Sequence, residues 1–420
     1  MKKIISLLLT SLLALVATAQ NNVGTPYSKY GIGLMPENYG AYVGMGGVSA
    51  AMRDRHNINY LNPASYTALD SFRFYFQAGY AGEHVNISSY YARATYSVAQ
   101  TASINMGFRL ARKLYASFGF NERSDIGYDM RFTNQVSGDP YSYFFQLLEG
   151  EGGLNDIYLG LGYQWGKLSV GVNASYIFGK VEDRQTLEPI SYSGNPIEYY
   201  VKTRTQNHIH DVLFTFGAQY PVRVGESSLL TIGGTYNFGT YLSGKRVFEA
   251  FELTTSGKDT TLLREVPDHG KIFYPARFTL GGSYEWNNHW QLSGDYTFQE
   301  MRKYKEFGEV TEMFTNYHKV ALGGAYTPNG RDWWQRNRYS VGSYFTKSHI
   351  NLLEHNINTF GVTLGMQIPF YYANQELMLG VAADLGVRGR QAAGLMMEQF
   401  AKIRLTIAFK ERWFMKPKIF

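Results

Sequence analysis

Residues 53–56 read Arg-Asp-Arg-His, which puts two guanidiniums, a carboxylate and an imidazole on four consecutive positions. Arg53 and Arg55, on either side of Asp54, could take a cargo carboxylate through paired hydrogen bonds, because the guanidinium fork matches that geometry. The same charges could instead pair with carboxylates of the surrounding fold and hold their own segment in place. His208 and His210, followed by Asp211, stand at a spacing that shares one face of a strand. No third ligand accompanies them, and they read as a solvated pair. The run Gly44-Met45-Gly46-Gly47 is no phosphate loop, since no strand precedes it and no Gly-Lys-Ser/Thr follows. The chain has no cysteine, which excludes a thiol nucleophile, a thiolate-held metal, a disulfide scaffold and a lipidated cysteine anchor. No Ser/His/Asp arrangement presents itself. The expectation is therefore no enzyme, no metal and no cofactor; a barrel enzyme would need groups converging from separate strands.

Those residues sit in a chain whose start reads as a secretory leader. Lys2 and Lys3 form a basic n-region, Ile4–Val16 an apolar core, and Ala17-Thr18-Ala19 a small-residue cleavage site, so 1–19 is expected to be removed. After Gln20 no run approaches the roughly 18 apolar residues of a spanning helix. The formal charge of +6 is scattered, without the clustering that a nucleic-acid footprint needs. Aromatics make up 16% of the residues, with 34 Tyr, 27 Phe and 44 Gly, and the mean hydropathy is −0.27. Aromatic girdles around a polar lumen produce that combination in transmembrane β-barrels.

From Ser71 onward the period is two. Phe72, Phe74, Phe76, Ala78 and Tyr80 share one face, and Leu168, Val170, Val172, Ala174, Tyr176 and Phe178 repeat the pattern. Counting such segments gives about fourteen, the even number that bacterial barrels use. Short connections such as Gly166-Lys167 alternate with long polar ones, Thr133–Gly153, Arg184–Ile197, Lys245–Gly270 and Thr346–His355. Trp333-Trp334 falls in a short turn and reads as an interfacial anchor. Glycines crowd the polar face, among them Gly160, Gly162, Gly171, Gly217, Gly233, Gly323 and Gly365. Glycine inside a strand marks close approach of another backbone, and so many on one face imply an occupied lumen. The chain thus divides into a leader (1–19), an N-terminal hatch (20–69) and an all-β, antiparallel transmembrane barrel (70–420).

The hatch segment carries a motif, Asn62-Pro63-Ala64, directly ahead of the first strand. With Gly44, Gly46 and Gly47 before it, the layout resembles the FadL/TodX-type outer-membrane transporters of fatty acids and hydrophobic aromatics. The resemblance implies a hatch inside a fourteen-stranded barrel in the outer membrane of a Gram-negative cell. It also implies passive diffusion of a hydrophobic compound, with hatch movement and a kinked strand opening a lateral path. On this sequence the third strand shows a polar interruption, Glu122 and Ser124, between Phe120 and Ile126 on the face read as outward. Asn121, Glu122, Ser124 and Asp125 are therefore the candidate gate; the other reading is that the strand simply emerges from the membrane after Phe120. Tyr141–Leu148 reads as a short outer helix whose Tyr141, Phe144, Phe145, Leu147 and Leu148 line an apolar outer groove or pack over the barrel mouth. The expected partners are the lipid bilayer and a hydrophobic small molecule such as a fatty acid. The alternative is a barrel of the same shape that docks an outer-membrane or surface protein, in secretion or cell-surface attachment.

Overall fold

Among the described residues eighteen strands follow the hatch in one antiparallel sheet. They are β1 (Arg73–Ser88), β2 (Arg93–Ala111), β3 (Leu114–Gln135), β4 (Tyr143–Trp165), β5 (Leu168–Ile190), β6 (Tyr199–Val224), β7 (Ser228–Asn237), β8 (Thr240–Thr254) and β9 (Thr260–Tyr274). Then come β10 (Arg277–Trp286), β11 (Trp290–Gln299), β12 (Lys305–Glu306), β13 (Glu309–Val310), β14 (Tyr317–Tyr326), β15 (Arg338–Leu352), β16 (His355–Tyr372), β17 (Gln375–Ala392) and β18 (Leu395–Arg412). The computed structural model describes residues 24–34, 40–90, 92–136, 141–190, 199–254, 260–372, 375–392 and 394–412. The expected leader and the end of the basic C-terminal tail lie outside them.

The wall is a closed barrel of fourteen staves, sealed by the pairing of β1 with β18. Two staves are split. β7 pairs with the inner half of β6 and β8 with its outer half; β10 and β9 lie against them in the same order. The second break falls at Pro275, which has no N–H to give the ladder. The two-residue pieces β12 and β13 belong to a loop folded over the outer mouth.

Alternation sends apolar side chains outward. Phe118, Leu159, Phe214, Leu280, Leu322 and Val341 are exposed on the wall, as a lipid-facing belt requires. At the short-turn end Trp290 stacks on Trp286 at 5.9 Å and meets Tyr326 at 4.3 Å, part of an aromatic girdle. The opposite end differs from the expectation. The segments read as long polar loops are largely strand: β3 runs on to Gln135, β5 to Ile190, β8 to Thr254 and β15 to Leu352. Backbone pairing there continues past the membrane, where both faces meet water or lumen and the apolar period that marks a strand in sequence is lost. The same holds for Tyr143–Leu148, which is the start of β4 and not a helix.

Candidate functional site

The lumen is filled in three levels, and β3 passes all of them. At the short-turn end Tyr115 and Ser117 face the hatch block. Next come Asn121, Glu122 and Arg123, beside a polar cavity. Ile126 and Tyr128 follow, within an apolar layer near the outer mouth.

The hatch block seats on glycines. A Cβ at Gly171 would overlap the carbonyl of Pro63, one at Gly217 the side chain of Asn62, and one at Gly233 the carbonyl of Ala50. Across the lumen, Gly323 and Gly342 admit Met45 and Gly46, and Gly365 admits Gly44. Gly46 and Gly47 have φ of 72° and 74°, left-handed values that a side chain resists. Not every lumenal glycine serves the hatch: Gly281 and Gly361 make room for Asp295 and Tyr344 of the wall. Asn62 is fully buried. Its Oδ1 accepts from the Ala64 N–H at 3.1 Å, capping the 3-10 turn Pro63–Ala68, and its Nδ2 donates to the Ala50 carbonyl at 2.6 Å. Opposite, Asp295 Oδ2 accepts from the N–H groups of Ser49 (2.6 Å) and Ala50 (2.9 Å).

Arg53, Asp54 and Arg55 do not converge on a ligand. Arg53 donates to neutral oxygens of Ser169 and Gln219 at 3.1 Å and of Thr67 at 3.0 Å. Asp54 turns back to accept from the His56 N–H and Asn57, and Arg55 is exposed. The wall meets Arg53 with a hydroxyl and an amide, and among the described residues no carboxylate lies within ion-pair distance of it. Burial opposes ionisation of Asp54, yet the charges of His56 and Arg338 hold its pKa below the ordinary value. His56 Nδ1 lies 2.6 Å from Glu376 Oε1, and Lys410 Nζ joins both. Burial alone would lower the imidazole pKa, but contact with Glu376 and the Asp54 charge outweigh it, against Lys410, and raise it. A raised pKa stabilises the seated hatch below the unseated value, near 6.5, and that contribution disappears as pH rises through the seated pKa. Protection of residues 53–58 against hydrogen exchange, taken relative to the intrinsic amide rate at each pH, should therefore fall from pH 6 to 9, and His56→Gln should flatten that profile. A flat profile in the unsubstituted protein would remove His56 from the anchor.

The polar cavity, about 110 Å³, lies against Ser49, Tyr60 and Leu61 of the hatch. Glu122, Arg123, Asp156, Arg277, Asp295 and Lys319 bring charge of both signs to it; Arg123 lies 3.6 Å from Asp156. Above it, Tyr27 and Ile32 of the hatch pack with Ile126, Leu154, Ile177 and Ile209 of the wall. Met301, Tyr304 and Phe314, from the loop between β11 and β14, close this layer from outside. A Cβ at Gly31 would press on the Phe314 ring, so hatch and loop touch directly.

β3 bends here. Its pairing with β4 carries a bulge between Glu122 and Ser124, and one extra residue reverses which side chains face in. Ser124, Ile126 and Tyr128 are buried in the lumen, not on the lipid face where a regular strand would put them. β2 pairs with β3 only from Ala111↔Leu114 to Ser103↔Asn121. Beyond that level β3 leaves β2 and takes the hatch arm Gly24–Leu34 as its neighbour. Leu34 and Asp125 exchange both backbone hydrogen bonds at 3.1 Å, Gly24 N–H donates to the Gly127 carbonyl at 2.9 Å, and Ser124 Oγ donates to the Ile32 carbonyl at 2.6 Å. The result is a seam in the wall between β2 and β3, backed by the hatch arm.

Asn121, Glu122, Ser124 and Asp125 thus lie together at the base of the seam. The outer-groove residues do not lie together, because a strand sends neighbours to opposite faces. Leu148 packs on the apolar layer, Phe145 lies 3.9 Å under the Arg131 guanidinium, and Tyr141 is exposed. His208 and His210 are exposed, and among the described residues no group of three metal-ligating side chains forms. The hatch arm, the Asp295 clasp and the β11–β14 loop were not read from the sequence. Their partners are hundreds of residues away or are backbone groups, which leave no local signal.

The BamG family pattern matches residues 1–419. No curated protein matches the chain. Among solved structures it is similar to the Pseudomonas putida toluene transporter TodX, at 15% identity and TM-score 0.61 over 90% of this chain and 100% of that one. A Pseudomonas aeruginosa FadL homologue follows at 13% and 0.60 over 90% and 99%, and the Ralstonia pickettii toluene transporter TbuX at 15% and 0.56 over 90% and 99%. At these identities the likeness is one of fold.

Proposed function

The chain belongs to the BamG family, and from its FadL-type hatch barrel we propose an outer-membrane channel that passes hydrophobic compounds sideways through the β2–β3 seam. The observation that carries this reading is the order of levels along β3. The apolar layer of Ile126, Tyr128 and Ile32 stands at the height of the seam, and the charged cavity and the hatch block stand below it. An apolar molecule entering from outside loses solvation in neither the layer nor the bilayer. Passing straight down, it would press against six ionisable side chains, whose polar partners apolar contacts cannot replace. The exit into the membrane is then the favoured path. Fatty acids and aromatic hydrocarbons both fit this chemistry, and TodX and TbuX are toluene transporters.

Uptake of radiolabelled oleate and toluene by cells carrying this protein, with the empty host as baseline, tests the proposal. Ile126→Gln puts an amide into the apolar layer, at about 1–3 kcal/mol when unpaired, and should lower uptake about tenfold. Uptake no faster than in the empty host would sink the channel reading. A second reading, a closed barrel that docks a partner protein, draws on the tight seating of the hatch: Ala50, Asn62, Ala64 and Tyr66 are all without solvent access. Protein that purifies without apolar ligand but with a stoichiometric protein partner would favour it.

A further inference from the structure

The histidines of β6 have neighbours across the sheet that the order of the sequence hides. In the register of the wall, Lys180 of β5 stands opposite His208, His208 opposite Lys245 of β8, and Lys245 opposite His269 of β9. All four are exposed. They share the outward face, because Val181, Ile209, Leu242 and Ile272 of the same strands pack into the lumen. One row deeper, His210 and Lys271 flank Ser243, and both are exposed. Lys180 has Glu182 at 2.5 Å. Among the described residues no carboxylate lies within ion-pair distance of Lys245, Lys271, His208, His210 or His269. Asp211, beside His210, accepts from the N–H and hydroxyl of Ser243 at 3.2 and 3.0 Å. Opposite charges across strands stabilise a sheet, and this row forgoes them. Directly below, Tyr176 stacks on Phe178 at 5.9 Å and Tyr241 meets Phe273 at 4.9 Å, with Val212 and Phe214 exposed beside them. An aromatic belt of this kind marks the headgroup boundary, here on the side away from the short turns.

We propose that this basic row binds the phosphate groups of a phosphorylated glycolipid of the outer leaflet, whose acyl chains lie on the aromatic belt. Lysine ammonium groups take phosphate oxygens through charge-assisted hydrogen bonds, and each imidazole has an N–H to donate. Basic side chains at the membrane surface draw anionic headgroups to them. A soluble anion would use the row alone. A lipid uses the row and the belt together, and β5, β6, β8 and β9 carry both at adjoining heights. Four strands set the length of the row at about 14 Å. That is wider than a single phosphodiester and fits a headgroup of two sugars that carries phosphate. The inference rests on the placement in the outer membrane, where the outer leaflet is built of such glycolipid, and stands whether or not the seam passes a cargo.

Native mass spectrometry of the full chain in detergent, titrated with purified lipid A, tests it, with dephosphorylated lipid A and phosphatidylglycerol as comparison lipids. The expected result is one lipid A retained and the comparison lipids held at least about tenfold more weakly. Lys245→Gln with Lys271→Gln should weaken retention about thirtyfold, and Lys245→Gln alone about fivefold. Lys167→Gln with Arg223→Gln removes the same charge from exposed sites at the short-turn end and should leave retention unchanged. Heat-modifiable migration on a gel shows that each variant barrel has folded. No retention of lipid A, equal retention of either comparison lipid, equal losses in the two double variants, or displacement by equimolar inorganic phosphate would each overturn the proposal.

Discussion

Gly171→Val is expected to unseat the hatch while the barrel still closes. Gly171 lies in register between Gly162 of β4 and Gly217 of β6, and the three form the seat for Asn62 and Pro63. A valine there suits the strand itself, so wall formation is spared. Its side chain would occupy the space of the Pro63 carbonyl and the Ala64 nitrogen. Overpacking of this kind costs about 1–3 kcal/mol, and each hydrogen bond that Asn62 gives up adds about 1 kcal/mol. Together these raise the population of unseated hatch on the order of a hundredfold. The hatch of folded, heat-modifiable protein should then be cut by protease at that multiple of the original rate. Planar bilayers should show open-channel current where the unsubstituted protein is closed. Gly171→Ala should give the same effects more weakly. Protease resistance equal to that of the unsubstituted chain would mean that the glycine seat does not hold the hatch.

Leu34→Cys with Asp125→Cys should shut the seam reversibly. The two residues face each other as a hydrogen-bonded antiparallel pair, a class with Cα atoms about 5.5 Å apart, within the span of a disulfide. The chain has no other cysteine, so a bond between these two has no competitor. If cargo leaves where the hatch arm parts from β3, oxidation should lower hydrophobic uptake at least about tenfold, and a reductant should restore it. Each single-cysteine variant serves as its own control for lost side-chain contacts. Uptake unaffected by oxidation would place the route elsewhere and leave the arm as a structural filler of the β3 edge.

The barrel follows from the sequence because alternation is a local property. Each wall strand must show one face to lipid, so Phe72–Tyr80 and Leu168–Phe178 announce themselves within ten residues. Glycine on the opposite face was likewise local, and it pointed correctly to a filled lumen, since Gly171, Gly233 and Gly342 have backbone against them. The Asn62-Pro63-Ala64 turn could be recognised because a capping side chain and its proline are adjacent. The polar interruption at Glu122 and Ser124 marked the point where β3 departs from a regular strand.

Only the tertiary structure decided where the side chains around that point go. The bulge shifts the register by one, and no sequence pattern fixes which residue is extra, so Ile126 and Tyr128 moved from the lipid face to the lumen. Outside the bilayer one environment gives way to another on both sides of a strand, which is why Tyr143–Leu148 did not read as part of β4. The hatch arm was not read from the sequence, because its bonds to β3 run largely through the backbone of Gly24, Ile32 and Leu34, with Ser28 Oγ the arm side chain that joins it at Gly127. Backbone pairing is blind to side-chain identity, and the seam and its filler both depend on it.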